Sequence, residues 1–146
     1  MKKTSALAAA AITASLLVFP SSPATAKSAS FDRTVKCEQK DRDGRKIPTR
    51  VGNSVLGWKH FSGRHNIRKC GVVNGPLDGK VDKVKGARLE YYGYAWQGTK
   101  RVKLVVIVQY ARKTDDGKHD AGKGKKIGVI TAYCKNMKKC PDWVNH

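Results

Sequence analysis

The sequence predicts an α+β domain, with short helical elements toward the N-terminus packed on an antiparallel β-sheet of about three to five strands, stapled by disulfides. Three observations predict it. An aromatic stretch at 87–96 is followed, across Gln97-Gly98-Thr99-Lys100, by the β-branched run RVKLVVIVQYAR at 101–112, which is the pattern of a β-hairpin. A further strand-like segment, IGVITAYC, occupies 127–134. Ahead of these strands, NSVLGWKHF at 53–61 carries a helical apolar stripe.

Residues 1–26 have the pattern of a cleavable export signal. Lys2 and Lys3 precede an apolar run at 6–18, Pro20 and Pro23 interrupt it, and Ala24-Thr25-Ala26 is a small-x-small cleavage site. The apolar run is shorter than the roughly 20 residues a spanning helix needs. The expected product is therefore one secreted, extracellular domain at 27–146, cleaved after Ala26, with no stable membrane insertion. In that compartment the four cysteines, Cys37, Cys70, Cys134 and Cys140, are expected to be disulfides. Nearness in the chain favours Cys37–Cys70 and Cys134–Cys140. Zinc is disfavoured because no C-x-x-C occurs and no histidine is spaced around the cysteines as in zinc knuckles.

The elements follow in order. Residues 27–50 are polar, with a short strand expected around 34–38, a turn at Asp43-Gly44 and a breaker at Ile47-Pro48. Asn53 or Ser54 can cap a helix over 54–61, whose stripe is Val55, Leu56, Trp58 and Phe61 and which Gly63 would end. Asn74-Gly75-Pro76 and Asp78-Gly79 mark 70–86 as turn-rich. In the long strand Val102, Leu104, Val106, Val108, Tyr110 and Arg112 alternate onto one face. Residues 105–108 are apolar on both faces, as in a central strand. Residues 113–126 read as a basic, glycine-rich loop. The tail at 135–146, with Pro141 and Trp143, is expected to pack back on the body.

The charge is extreme. Thirty Lys and Arg against eleven Asp and Glu give +19, or +17 without the two leader lysines. Such a surface attracts polyanions: nucleic acid, anionic headgroups or cell-wall polymers. Several chemistries lack their residues. Glu38 and Glu90 are the only glutamates, which disfavours a paired-carboxylate glycosidase. There is no P-loop spacing and no G-x-S-x-G elbow, and bridged cysteines are not nucleophiles. No cofactor and no metal is expected.

Acid/base chemistry near neutrality falls to histidine, and His60 and His65 stand close together in W-K-H-F-S-G-R-H-N-I at 58–67, beside Lys59, Arg64 and Arg68. RNA cleavage by internal attack needs a base at the 2′-hydroxyl, an acid at the 5′-oxygen and cations around the phosphate. In the last strand Thr131 and Tyr133 share a face and can hydrogen-bond phosphate oxygens. Tyr92, Tyr94 and Trp96 interleave with Arg88, Lys100, Arg101 and Lys103. That is either a base-stacking surface or an ordinary aromatic hairpin.

A histidine-bearing helical segment, a basic strand end at Tyr110-Ala111-Arg112 and I-T-A-Y at 130–133 together resemble the small secreted ribonucleases and toxin nuclease domains. That group includes the barnase-type enzymes, the colicin transfer-RNA nucleases and the toxins of contact-dependent inhibition systems. The resemblance covers about 53–134. It implies a metal-independent endoribonuclease, of the kind used as a toxin or bacteriocin, with His60 or His65 as acid/base, Arg112 on the phosphate, and Thr131 with Tyr133 completing the site. Lys59, Arg64, Arg68, Lys103 and Tyr110 are then the candidate substrate-binding residues. Expected partners are RNA or another polyanion and an acidic inhibitor protein, with the chain itself a monomer. The competing expectations are a non-enzymatic polycation, antimicrobial or polyanion-binding, and a disulfide-stapled inhibitor or adhesion module.

Overall fold

In the computed structural model, which describes residues 30–146, the elements run β1 (Asp32–Lys40), β2 (Lys46–Gly52), α1 (Trp58–Arg64), α2 (Cys70–Leu77), β3 (Lys83–Lys85), β4 (Arg88–Gln97), β5 (Lys100–Gln109) and β6 (Gly128–Cys134), then a 3-10 turn at Asp142–Asn145. The expected leader at 1–26 lies outside the described residues. β1 and β2 form a two-stranded antiparallel sheet; β3, β4, β5 and β6, in that order, form a four-stranded one. The class is α+β, and β5 is an interior strand, as its two-sided apolarity predicts.

Strand alternation divides the larger sheet into two faces. Leu89 and Tyr91 of β4, Val102 to Val108 in alternation on β5, and Ala132 and Cys134 of β6 share the core face. They pack with Phe61, Ile67, Val73, Leu77 and Ile47 in one buried cluster. Each such apolar side chain contributes about 1.5–3 kcal/mol on burial. The opposite face carries Arg88, Glu90, Tyr92, Tyr94 and Trp96 of β4, Arg101 to Gln109 in alternation on β5, and Thr131 and Tyr133 of β6. There Val105 and Ile107 are buried outside the core cluster, beneath the side chains that flank them.

The N-terminal part differs from expectation. The strand expected around 34–38 lies within β1, but it pairs with β2 as a hairpin ahead of both helices, and Ile47-Pro48, read as a breaker, lies inside β2. Proline is tolerated there because this sheet has only two strands, so each has an unpaired edge. The helix expected over 54–61 begins at Trp58 and runs past Gly63 to Arg64. The Asn53 carboxamide oxygen accepts the N–H groups of Val55 and Leu56, and Asn53 N–H bonds the Leu56 carbonyl at 2.9 Å. Residues 53–57 are thereby wound into a tight loop. Gly57 closes it at φ +85°, where a Cβ would meet the Arg50 carbonyl at 2.8 Å.

Residues 70–77, expected as turns, form α2. Its valines and its Gly-Pro pair disfavour helix, but burial of Val73, Pro76 and Leu77 against the sheet overrides that preference. Gly93 permits the docking, since a Cβ at that position would stand 2.7 Å from Pro76 Cγ.

The disulfides pair as expected, Cys37–Cys70 and Cys134–Cys140. The first ties β1 to α2 across a separation of 33 residues and the second spans only 6. Loop-closure entropy then assigns about 3.7 kcal/mol to the long bridge and about 2.3 kcal/mol to the short one. The tail does pack back. Cys140 N–H bonds the His65 carbonyl at 2.9 Å, Asn145 carries the Arg68 N–H and the Asn66 carbonyl, and Val144 joins the core.

Candidate active site

The loop before α1 is pinned to the sheet edge by the Gly57 N–H, which bonds the Ile130 carbonyl of β6 at 3.0 Å. This docking sets α1 alongside β6 and brings His60 to the cleft that Thr131 lines. His65 follows the last turn of α1, its N–H on the Phe61 carbonyl at 2.9 Å. Five residues apart on an ideal helix, the two rings would point about 140° apart. Here the chain leaves the helix at His65 (φ −112°, ψ 1°) and reverses at Asn66, which has φ +59°. The rings meet edge to face with centroids 5.5 Å apart. The Tyr133 and His65 ring centroids are 5.9 Å apart.

Both imidazoles are anchored the same way. His60 Nδ1 is 2.9 Å from the Ser54 carbonyl, and His65 Nδ1 is 3.2 Å from the Lys138 carbonyl. A carbonyl only accepts, so each Nδ1 carries the proton and donates it. In the neutral rings Nε2 is then the basic nitrogen. Partial burial, together with the charges of His60 and Arg64, pushes the His65 pKa below its ordinary value; the hydrogen bond to Lys138 opposes this without cancelling it. The shift favours the neutral, proton-accepting form of His65.

Beside the pair is a cleft of about 330 Å³ lined by His60, Arg88, Gln109, Asp115, His119 and Thr131 over an apolar floor of Leu56 and Ile130. The Thr131 hydroxyl is buried and has no hydrogen-bond partner among the described residues, an arrangement that costs roughly 1–3 kcal/mol until something fills it. In register with Thr131 across Ile107 stands Glu90, whose carboxylate accepts the Tyr92 hydroxyl at 2.8 Å. Lys103 completes this face with its Nζ 3.9 Å from the centre of the Tyr92 ring.

His60, His65, Thr131 and Tyr133 therefore gather at one edge of the sheet, with Lys103 on the same face and Arg64 next to His65. Lys59 is exposed on α1. The remaining expected residues lie elsewhere. Arg112 is held by Asp120 in a two-point ion pair at 2.9 and 2.8 Å, because residues 113–126 fold back on the end of β5. Arg68 bonds Asp142 at 3.2 Å and borders a separate depression with Lys36 and Trp58. Tyr110 lies under the Lys126 ammonium, in a cleft with Arg33 and Arg50.

Gln109 and His119 were not legible as site residues, and Arg88 was read only as a cation among the hairpin aromatics. For Arg88 and Gln109 a signal existed, since strand alternation puts them on one face, but only the register of the strands sets them in the cleft with Thr131. His119 had none; its burial against Phe31, ring to ring at 5.6 Å, is tertiary. Among the described residues no group of three or more His, Cys, Asp or Glu is arranged to hold a metal ion. No family model, curated protein or solved structure matches this chain, so its function is read from the geometry alone.

Proposed function

We propose that the protein is a secreted, metal-independent endoribonuclease that cleaves RNA by transphosphorylation at the His60–His65 pair. One observation carries the reading: two imidazoles 5.5 Å apart, each with its Nδ1–H on a backbone carbonyl. Paired proton transfer at a phosphodiester needs a base and an acid near one phosphate, and two neighbouring imidazoles can supply both.

His65 Nε2 takes the proton of the ribose 2′-hydroxyl, and the freed oxygen attacks the adjacent phosphorus. The bond to the 5′-oxygen breaks, and protonated His60 gives that oxygen its proton. The products are a 2′,3′-cyclic phosphate and a free 5′-hydroxyl. The Tyr133 and Thr131 hydroxyls supply hydrogen bonds to the non-bridging oxygens, while Lys103 and Arg64 offset the growing negative charge. Export agrees with the leader expected at 1–26 and with two disulfides, which persist in oxidising compartments. Among the described residues no helix is long and apolar enough to cross a membrane.

The test is purified protein with RNA in excess chelator, with cyclic-phosphate ends identified by mass spectrometry. His60→Ala and His65→Ala should each lower the rate by roughly 10²–10⁴-fold. Undiminished cleavage in both variants overturns the assignment. Salt-sensitive RNA binding without cleavage, indifferent to both histidines, supports the polycation reading in its place.

A further inference from the structure

Trp96 is 63% exposed and Tyr94 51%, whereas Trp58 and Trp143 pack against the core. Both exposed rings lie on β4 at alternate positions with Tyr92, so the three share one face. Successive rings along that face are about 6.7 Å apart by strand geometry, and the Tyr94 and Trp96 centroids are separated by 6.4 Å. Cations are threaded between them. The Arg101 guanidinium carbon is 4.9 Å from the Tyr94 ring centre and 5.2 Å from that of Trp96, and Lys103 sits over Tyr92. Among the described residues no ion pair engages Arg101 or Lys103, so both charges are available to an outside anion. The row leads to the histidines, because Tyr92 is in register, across Val105, with Tyr133.

We propose that Tyr92, Tyr94 and Trp96, with Arg101 and Lys103, form a stacking track for unpaired bases, so that the site takes single-stranded RNA; this rests on the ribonuclease reading for its chemistry. Each ring has two faces: Tyr94 and Trp96 are exposed enough to stack a base on the ring surface their cation does not cover, and the cations serve the backbone phosphates. In a duplex the base faces are already stacked on one another and the track has nothing to grip. A purely electrostatic surface would favour the duplex, whose charge density is higher.

The probe is a 2′-O-methylated RNA of about a dozen nucleotides, a length within the usual range of single-strand sites. It lacks the attacking hydroxyl, so binding is read apart from cleavage. Fluorescence anisotropy should show tighter binding of the single strand than of its duplex. Trp96→Ala and Tyr94→Ala should each weaken single-strand binding about tenfold and leave duplex binding unchanged, with circular dichroism confirming the fold of each variant. Equal affinity for the two forms, or single-strand affinity untouched in both variants, overturns the track. If the ring variants behave as expected but intact RNA is not cut, the track stands and the ribonuclease reading falls. If RNA is cut and the ring variants bind normally, the track alone falls.

Discussion

His65 donates its Nδ1–H to the Lys138 carbonyl, 3.2 Å away, within the short loop closed by Cys134–Cys140. The same loop returns the Cys140 N–H to the His65 carbonyl. The short disulfide thus holds a catalytic candidate from both its ring and its backbone. Replacing Cys134 and Cys140 together by serine should lower RNA cleavage at least tenfold while costing only about 2.3 kcal/mol in denaturant unfolding. Lys138→Ala should leave cleavage nearly unchanged, because the contact is made by the backbone. Loss of activity in Lys138→Ala equal to that of the double serine variant would contradict this arrangement.

The pH dependence of cleavage should carry the depressed pKa of His65. A base works when deprotonated, so the rate should rise with pH through a midpoint below the ordinary histidine value of about 6.5. His60 and Arg64 both contribute to the depression, so His60→Ala and Arg64→Ala should move the His65 titration upward, as read from its ring proton by NMR. The unfolded state, with the ordinary pKa, binds more protons in this window. Stability is therefore full above about 6.5 and declines as pH falls through the folded value. A His65 midpoint at or above 6.5 in the wild type would refute the assignment of the base.

Thr131 offers a case where activity and stability should move apart. Its buried hydroxyl lacks a partner, so Thr131→Val removes an unsatisfied group and should leave the melting temperature unchanged or raised by an equivalent of up to about 1 kcal/mol. Cleavage should fall by about tenfold if that hydroxyl binds a phosphate oxygen or a base. A variant that is destabilised but fully active would assign Thr131 to packing alone.

Away from the site, the Tyr91 hydroxyl donates to Asp41 at 2.7 Å, and the same carboxylate receives Arg45 at 2.7 Å. This joins the β1–β2 turn to the core of the larger sheet. Burial opposes ionisation of Asp41, but the hydrogen bonds from Tyr91 and Arg45 outweigh it and hold the pKa below the ordinary value. The stabilisation is complete above the unfolded value near 3.8 and is lost as pH falls through the lower folded value. Asp41→Asn should cost about 1–3 kcal/mol at neutral pH, and the gap from the wild type should narrow in melts taken below pH 4.

Much of the fold was legible from local pattern. The hairpin of β4 and β5, the strand at β6 and the interior place of β5 follow from β-branched alternation and turn residues, which act over a few residues; the cysteines announced disulfides, and nearness in the chain only favoured the pairing that forms. Of the first hairpin, the strand around 34–38 and the turn at Asp43-Gly44 were legible; β2 and α2 were not, because Pro48 and Gly75-Pro76 speak locally against strand and helix, and edge position and burial against Gly93 decide otherwise. At the site, residue types carried His60, His65, Thr131 and Tyr133, since proton transfer and phosphate contact demand such side chains.

What only the tertiary structure decided is their assembly. A helix would have turned the two histidines apart; they meet where the chain leaves the helix at His65 and is held by the loop closed by Cys134–Cys140. Strand register, which no single segment encodes, set Glu90 opposite Thr131 and joined the aromatic row of β4 to Tyr133. Arg112, expected on the phosphate, is bound to Asp120 because the loop that follows β5 folds back to meet it. The sequence by itself determined which chemistry was available, because side-chain type is local. Which groups share a surface was left to long-range packing.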